Sequence, residues 1–323
     1  MADSSLRPDL PLPVPSVSAS SQLPASAPGL VRRLVWKIAI ATLILMAIGS
    51  ATRVMNAGLA CPDWPLCYGT LIPSQQMNLQ VFLEWFHRLD AALIGISTLA
   101  LVALSWIYRD TLPAWLPGAS LFSLGLILFQ GILGGLTVTQ LLRFDIVTAH
   151  LGTALLFFTT LLVIGTLLLP YQATGTAEKL PWLSLVAAIL IYLQSLSGGL
   201  VGSQWALHQC LWVSQLCGVM NTHLMGVVPA SIATLVVTVR GWQTPALSVA
   251  LRQLTRFVGL LLLLQVMLGV LTFRLHLQVE LLTISHQAIG AALLGTLVCI
   301  TVLAGRDRQL ARMNPEIAAS LSS

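Results

Sequence analysis

Charge is what this sequence has least of. Asp, Glu, Lys and Arg make up 8% of its 323 residues, against about a quarter in a soluble domain. With 56% of residues hydrophobic and a mean hydropathy of +0.87, an ordinary soluble protein is excluded. A disordered chain is excluded too, because it needs low hydrophobicity and high net charge. Five cysteines in a chain of this length are too few for a small disulfide scaffold, and no Gly-X-Y period of the collagen type runs through it. The net charge of +5 is not gathered into one basic stripe, which argues against a nucleic-acid partner. What remains is a polytopic membrane protein. A span takes about 20 apolar residues, so the chain has room for about eight.

Eight apolar runs are present, near residues 34–52, 84–107, 115–139, 145–168, 182–202, 220–239, 252–273 and 281–304. Runs of this length cross a bilayer as helices, so the expected fold class is an all-α integral membrane protein with eight transmembrane helices. Residues 1–33 are rich in Pro and Ser and read as a disordered tail, with no apolar h-region of a secretory signal. Residues 306–323 read as a second tail. Of the 16 basic residues, all but Arg53, Arg88, Arg143 and Arg274 fall in the tails, in the loops after the second, fourth and sixth runs, or in the first residues of the runs that follow them. The positive-inside rule then places both termini in the cytoplasm.

The chain also reads as duplicated. Gln130-Gly-Ile-Leu-Gly-Gly-Leu-Thr137 aligns with Gln265-Val-Met-Leu-Gly-Val-Leu-Thr272 at five of eight positions, with an offset of 135. Two pseudo-symmetric four-helix bundles in the same orientation, residues 34–172 and 173–305, fit this pattern. Four histidines sharpen it. His87 and His150 are separated by 63 residues, and so are His223 and His286. All four sit at the outer ends of their runs. Ionisable residues within spans usually mark function. Two neutral imidazoles facing each other in a bundle suit a six-coordinate haem iron, whereas zinc normally takes three or four protein ligands. Two haem sites, one per half, is the reading that follows. His208 and His276 lack such counterparts and read as loop residues.

Four of the five cysteines lie in outward loops: Cys61 and Cys67 after the first run, Cys210 and Cys217 after the fifth. Disulfides persist on that side of the membrane. Local pairs are the simplest connectivity, although four cysteines allow three. Such loops would lie as lids over the two haem sites. Cys299 reads as a packing residue.

Each half serves as the other's control. Glu84 stands three residues before His87, and Met220 stands three before His223; Arg88 follows His87, and Leu224 follows His223. Arg53 ends the first run where the second half has Gly202. Glu84 and His87 share a helix face. Two roles are open to Glu84: a base beside the site, or a helix N-terminal acid answering the dipole. Two are open to Arg53 and Arg88 as well: pairing with haem propionates, or snorkelling to the interface. Asp90 is a further acid inside a span, placed to orient His87 or to pair with Arg88 or Arg53. The C-terminal site then reads as a plain electron carrier and the N-terminal site as the place of chemistry.

These residues resemble a known family. The run Gly58-Leu-Ala-Cys-Pro-Asp-Trp-Pro-Leu-Cys-Tyr-Gly69, followed by Glu84-Trp-Phe-His-Arg88, is similar to the first outer loop and second helix of haem A synthases. His150, Asn221-Thr-His223 and Ser285-His286 stand where that family has its other haem ligands. The resemblance spans residues 34–304. It implies oxidation of the C8 methyl group of haem O to a formyl group, giving haem A for terminal oxidases. It further implies haem O as substrate at His87 and His150, with Arg53 and Arg88 beside it, a haem b cofactor at His223 and His286, and Glu84 as the catalytic residue. Asp90 departs from the family pattern, which is apolar there. The implied setting is a bacterial plasma membrane or an equivalent energy-transducing membrane, with haem O synthase upstream, an electron acceptor the sequence does not identify, and self-association left open. A di-haem b membrane cytochrome, carrying electrons between a quinol and an outer-side partner, would use the same four histidines, but it has no need of an acid on one side only. A transporter would need a midplane site or broken helices, whereas these histidines lie near one surface.

Overall fold

The computed structural model describes residues 27–202 and 215–313. Among them are eight helices: α1 (Ala27–Val54), α2 (Leu79–Ile107), α3 (Leu116–Thr139), α4 (Phe144–Leu167), α5 (Leu180–Val201), α6 (Gln215–Gln243), α7 (Val249–Arg274) and α8 (Glu280–Met313). All eight are long and apolar enough to cross a membrane, and the described residues form no β-strand beyond one isolated bridge between Cys67 and Thr70. The chain is an integral multi-pass membrane protein. Only helices and closed barrels keep every backbone group satisfied in lipid.

Helix α1 begins seven residues earlier than the apolar run suggests. Its first turns are amphipathic: Val31 and Val35 are fully buried while Arg33 is exposed. That spacing presents one face to the core without the continuous apolar stretch that marks a span. Local chemistry sets other ends. Asn78 caps α2 by accepting from the Val81 amide at 2.9 Å, an N-cap that satisfies one orphan donor. Pro117 and Pro181 occupy the first turns of α3 and α5, where a missing N–H costs nothing.

Packing closes two rings. Helices α1 to α4 pack cyclically, α1 on α2, α2 on α3, α3 on α4 and α4 on α1; helices α5 to α8 do the same. The rings meet through α1 on α8, α4 on α5 and α4 on α8. Exchanging α1–α4 for α5–α8 leaves that set of contacts unchanged, so the arrangement has pseudo-two-fold symmetry. The turns repeat too. In α3–α4, Leu141 and Leu142 have φ of 50° and 58°; in α7–α8, His276 and Leu277 have 52° and 58°. The amide of Leu142 reaches the Thr137 carbonyl at 2.8 Å and that of Leu277 reaches Thr272 at 3.0 Å, the six-to-one bond of a Schellman ending.

Helix α8 is the axis of the molecule. Of its most apolar window 61% is buried, against at most 33% for any other helix. Near its C-terminal end the buried Asp307 gathers the linker between the rings: it accepts from the amides of Thr174 at 2.7 Å and Ala177 at 3.0 Å and from the Tyr171 hydroxyl at 3.0 Å. Burial pushes the Tyr171 hydroxyl up to about 12, so it remains a donor. Arg306 bonds the Thr166 and Leu169 carbonyls, both at 2.9 Å. This knot ties α4, the linker and α8 at the end of the bundle opposite the histidines.

Candidate functional site

The four histidines share one pose. Each imidazole lies with its Cε1 apex against a glycine on the preceding helix. A methyl group built on Gly49 of α1 would stand 2.8 Å from Cε1 of His87 on α2. The same distance is 3.3 Å from Gly134 to His150, 3.0 Å from Gly198 to His223 and 2.9 Å from Gly269 to His286. Real Cβ contacts almost never fall below 3.0 Å, so at Gly49 and Gly269 a side chain would force the ring to move, while at Gly198 and Gly134 the ring would have to give by a few tenths of an ångström. His87 and His150 are carried by α2 and α4 of one ring, and His223 and His286 by α6 and α8 of the other, so each ring of helices carries its own pair.

One turn before each glycine stands a second repeated position. It is Gln130 before Gly134, Gln194 before Gly198 and Gln265 before Gly269, but Leu45 before Gly49. The Gln130 amide donates to the His150 carbonyl at 2.9 Å. The Gln194 amide donates to the His223 carbonyl at 2.7 Å and lies 3.0 Å from its Nδ1. Ser197 Oγ also lies 2.9 Å from that Nδ1, and Gln265 lies 3.3 Å from Nε2 of His286. The seat of His87 has no such amide. The glycine seats and Gln194 escaped the sequence reading. A spacing of Gln-x-x-x-Gly, present three times, is the signal that would have found them.

Above the first pair lies the loop closed by Cys61 and Cys67, which form a disulfide with Cα atoms 4.8 Å apart. The residues that set the halves apart hold this loop. Glu84, 4% exposed, accepts from the Cys61 amide through Oε2 at 2.8 Å and pairs through Oε1 with Arg88 Nη2 at 2.5 Å. Arg88 also donates to the carbonyls of Asp63 at 2.6 Å, of Cys61 at 3.3 Å and of Leu66. Trp64 packs over Gly135, where a methyl group would meet its ring at 3.2 Å. The loop is therefore pinned to α2 by charge and to α3 by an aromatic face, next to the seat of His150. Asp63 shapes its tip by accepting from the amides of Gly69 at 2.8 Å and Tyr68 at 2.6 Å. The Gly69 bond is the main reason its carboxyl is held below the usual carboxylate range. Cys210, His208 and the Cys217 side chain lie outside the described residues.

Arg53 goes elsewhere. It is carried by α1, yet its guanidinium donates to Gln287 Oε1 on α8 at 3.0 Å and makes a long 3.5 Å contact with the Gly199 carbonyl on α5. A methyl group on Gly202, its counterpart in the repeat, would lie 3.0 Å from Nη2. The charged groups expected around one pair are thus divided: Glu84 and Arg88 stay with the N-terminal loop, and Arg53 reaches the C-terminal ring. Asp90 is half-buried and forms no ion pair among the described residues.

The donor sets fit a planar group ligated on both faces. Each ring of helices offers two imidazoles, and among the described residues no three His, Cys, Asp or Glu converge as a closed metal cage would require. The Nδ1 atoms of His87, His150 and His286 are sealed from solvent without a hydrogen-bond partner. Buried polar atoms are rarely left so, and here they belong to rings held edge-on against glycine.

Comparison with known proteins points the same way. The family profile described as COX15-CtaA, cytochrome oxidase assembly protein, matches residues 32–298. A Shewanella oneidensis protein named heme A synthase is 30% identical over 324 residues, covering 83% of this chain and 96% of that protein. Proteins of the same name from Bacillus pumilus and Staphylococcus saprophyticus are 31% and 26% identical over shorter stretches, covering 43% and 53% of this chain and 44% and 59% of their own lengths.

Proposed function

The chain belongs to the COX15-CtaA family of cytochrome oxidase assembly proteins, and from that premise we propose that it is a haem A synthase. It is an oxidoreductase whose substrate is haem O and whose product is haem A for terminal oxidases. Turning the C8 methyl group into a formyl group takes one oxygen from water and releases four protons and four electrons, the electrons passing through the C-terminal site to an external electron acceptor. It proceeds through a hydroxymethyl group, a second oxidation and loss of water.

The observation that carries the assignment of chemistry to one half is the buried carboxylate of Glu84, on the helix of His87, matched by Met220 in the other half. In this reading His87 and His150 hold the substrate. Glu84 lies one helical turn from His87 and accepts a proton at a carboxylate oxygen as water adds at the reacting carbon. Both oxygens already carry one hydrogen bond, and each keeps a lone pair for a further donor. Arg88 keeps the carboxylate in place and, with Trp64 and the disulfide loop, shields the site from bulk water. His223 and His286 hold haem b, which supplies one-electron transfer when bound. Seating both rings on glycine and fixing one by Gln194 and Ser197 limits their motion, which favours electron transfer over chemistry. Both termini lie on the cytoplasmic side of a bacterial plasma membrane or an equivalent energy-transducing membrane, the Cys61–Cys67 loop faces outward, and haem O arrives from haem O synthase.

Co-expression of the full chain with a haem O source, followed by chromatography of extracted haems, tests the assignment. Haem A is expected. Recovery of haem O unchanged, with haem b alone on the protein, would make the chain a di-haem electron carrier.

A further inference from the structure

Among the described residues Arg53 is a charge without a counter-charge. It lies near the end of a membrane helix, and no Asp or Glu is within ion-pair distance of it among the described residues. The undescribed segment 203–214 contains no acid either. Its Nε is sealed from solvent with no hydrogen-bond partner, and its other nitrogens meet only a side-chain amide and a backbone carbonyl. A guanidinium carries five donors in a planar fork that matches a carboxylate, and leaving such a charge unpaired in a low-dielectric setting is unfavourable. The environment is built around it all the same. Gly202 leaves the space its head occupies, and both its acceptors adjoin the C-terminal pair: Gln287 follows His286, and Gly199 follows the glycine on which His223 rests.

We infer that Arg53, although part of the N-terminal half, is a binding residue of the C-terminal site, where it receives an acidic side group, a propionate, of the haem held by His223 and His286. This rests on the haem assignment above and deepens it. It also explains why the C-terminal half has no arginine of its own at position 202: the neighbouring half supplies the cation. A positive charge there favours the reduced iron, so Arg53 sets the readiness of that haem to accept an electron.

The test uses the full-length, haem-loaded protein with His87 and His150 both changed to Ala, so that only the C-terminal pair holds haem. Arg53→Gln is expected to weaken reduction about tenfold, a fall of about 59 mV in midpoint potential for one electron. Arg53→Lys keeps the charge but loses the fork, and about a threefold effect of the same sign is expected. Arg143→Gln, whose guanidinium pairs with the exposed Asp145, is expected to leave this potential in place. The lysine variant carries the test should the glutamine variant not assemble. A potential unchanged in both Arg53 variants overturns the inference. So does a bound-haem spectrum indifferent to His223→Ala. Failure of the haem A synthase reading is separately visible, as a wild-type chain that makes no haem A.

Discussion

The two halves of this molecule share a frame and differ in its furnishing. Both are rings of four helices, both rest two imidazoles on glycines in the same pose, and both close their second hairpin with the same left-handed turn. In the C-terminal half, amide and hydroxyl groups brace the His223 ring directly. In the N-terminal half, the amide position beneath His87 is Leu45, and polar chemistry has moved above the ring to Glu84, Arg88 and the disulfide loop. The difference teaches how a duplicated scaffold diversifies. One copy sets amide and hydroxyl groups against the ring it seats; the other gathers a carboxylate and a guanidinium under a disulfide loop.

Removing the acid is the strongest way to break the comparison. Glu84→Gln is expected to lower haem A formation by about 100-fold or more, the range of a lost general base, while the haem at His223 and His286 keeps its absorption spectrum. Chromatography and spectroscopy on one preparation give both numbers, and wild-type haem A from this variant would remove Glu84 from the chemistry. Next come the seats. Gly49→Ala forces a methyl group against His87 at 2.8 Å, whereas Gly134→Ala meets His150 at 3.3 Å. Overpacking costs about 1–3 kcal/mol, so the Gly49 variant should unfold at lower temperature than the Gly134 variant. The C-terminal seats, at 3.0 and 2.9 Å, should suffer alike. Equal losses at Gly49 and Gly134 would contradict the geometry.

Exchanging the braces is a finer probe. Gln194→Leu gives His223 the surroundings of His87, at a cost of about 1 kcal/mol for the lost hydrogen bonds, and should broaden the haem spectrum of that pair. Leu45→Gln should narrow it at the other. Smallest is an acid effect at the tip of the loop. Asp63 has a folded pKa below its unfolded value of about 3.9. Its stabilisation is therefore complete above that unfolded value and is lost as pH falls through the folded one. Hydrogen exchange at the Tyr68 and Gly69 amides should accelerate in that acid window, and Asp63→Asn should abolish the pH dependence.

Much of this was legible in the chain. Lipid demands continuous apolar helices, so the eight spans stand out, and a charge within them is conspicuous because so few occur. The His spacing exposed the duplication, and the Cys61–Cys67 pairing followed from a local loop. The seats were not legible, since glycine is common in membrane helices and its contact with a ring depends on how each helix is rotated. Gln194 was hidden because Ser195-Leu-Ser197 differs from the residues after Gln130 and Gln265. Arg53 stood out as a charge, but a long side chain can cross an interface. Sequence position attached it to the helix that carries it; its contacts are with the neighbouring ring.

Arg53 resting on Gly202 has a consequence for how such a protein can arise. In a dimer of identical halves, a residue beside the two-fold axis faces its own copy. Two arginines there would compete for one space with like charges in a poorly screened medium; two glycines would leave no charge at all. Two halves of different sequence, here carried on one chain, can put a cation on one side and an empty place on the other. That arrangement is one that no symmetric assembly of identical units can adopt.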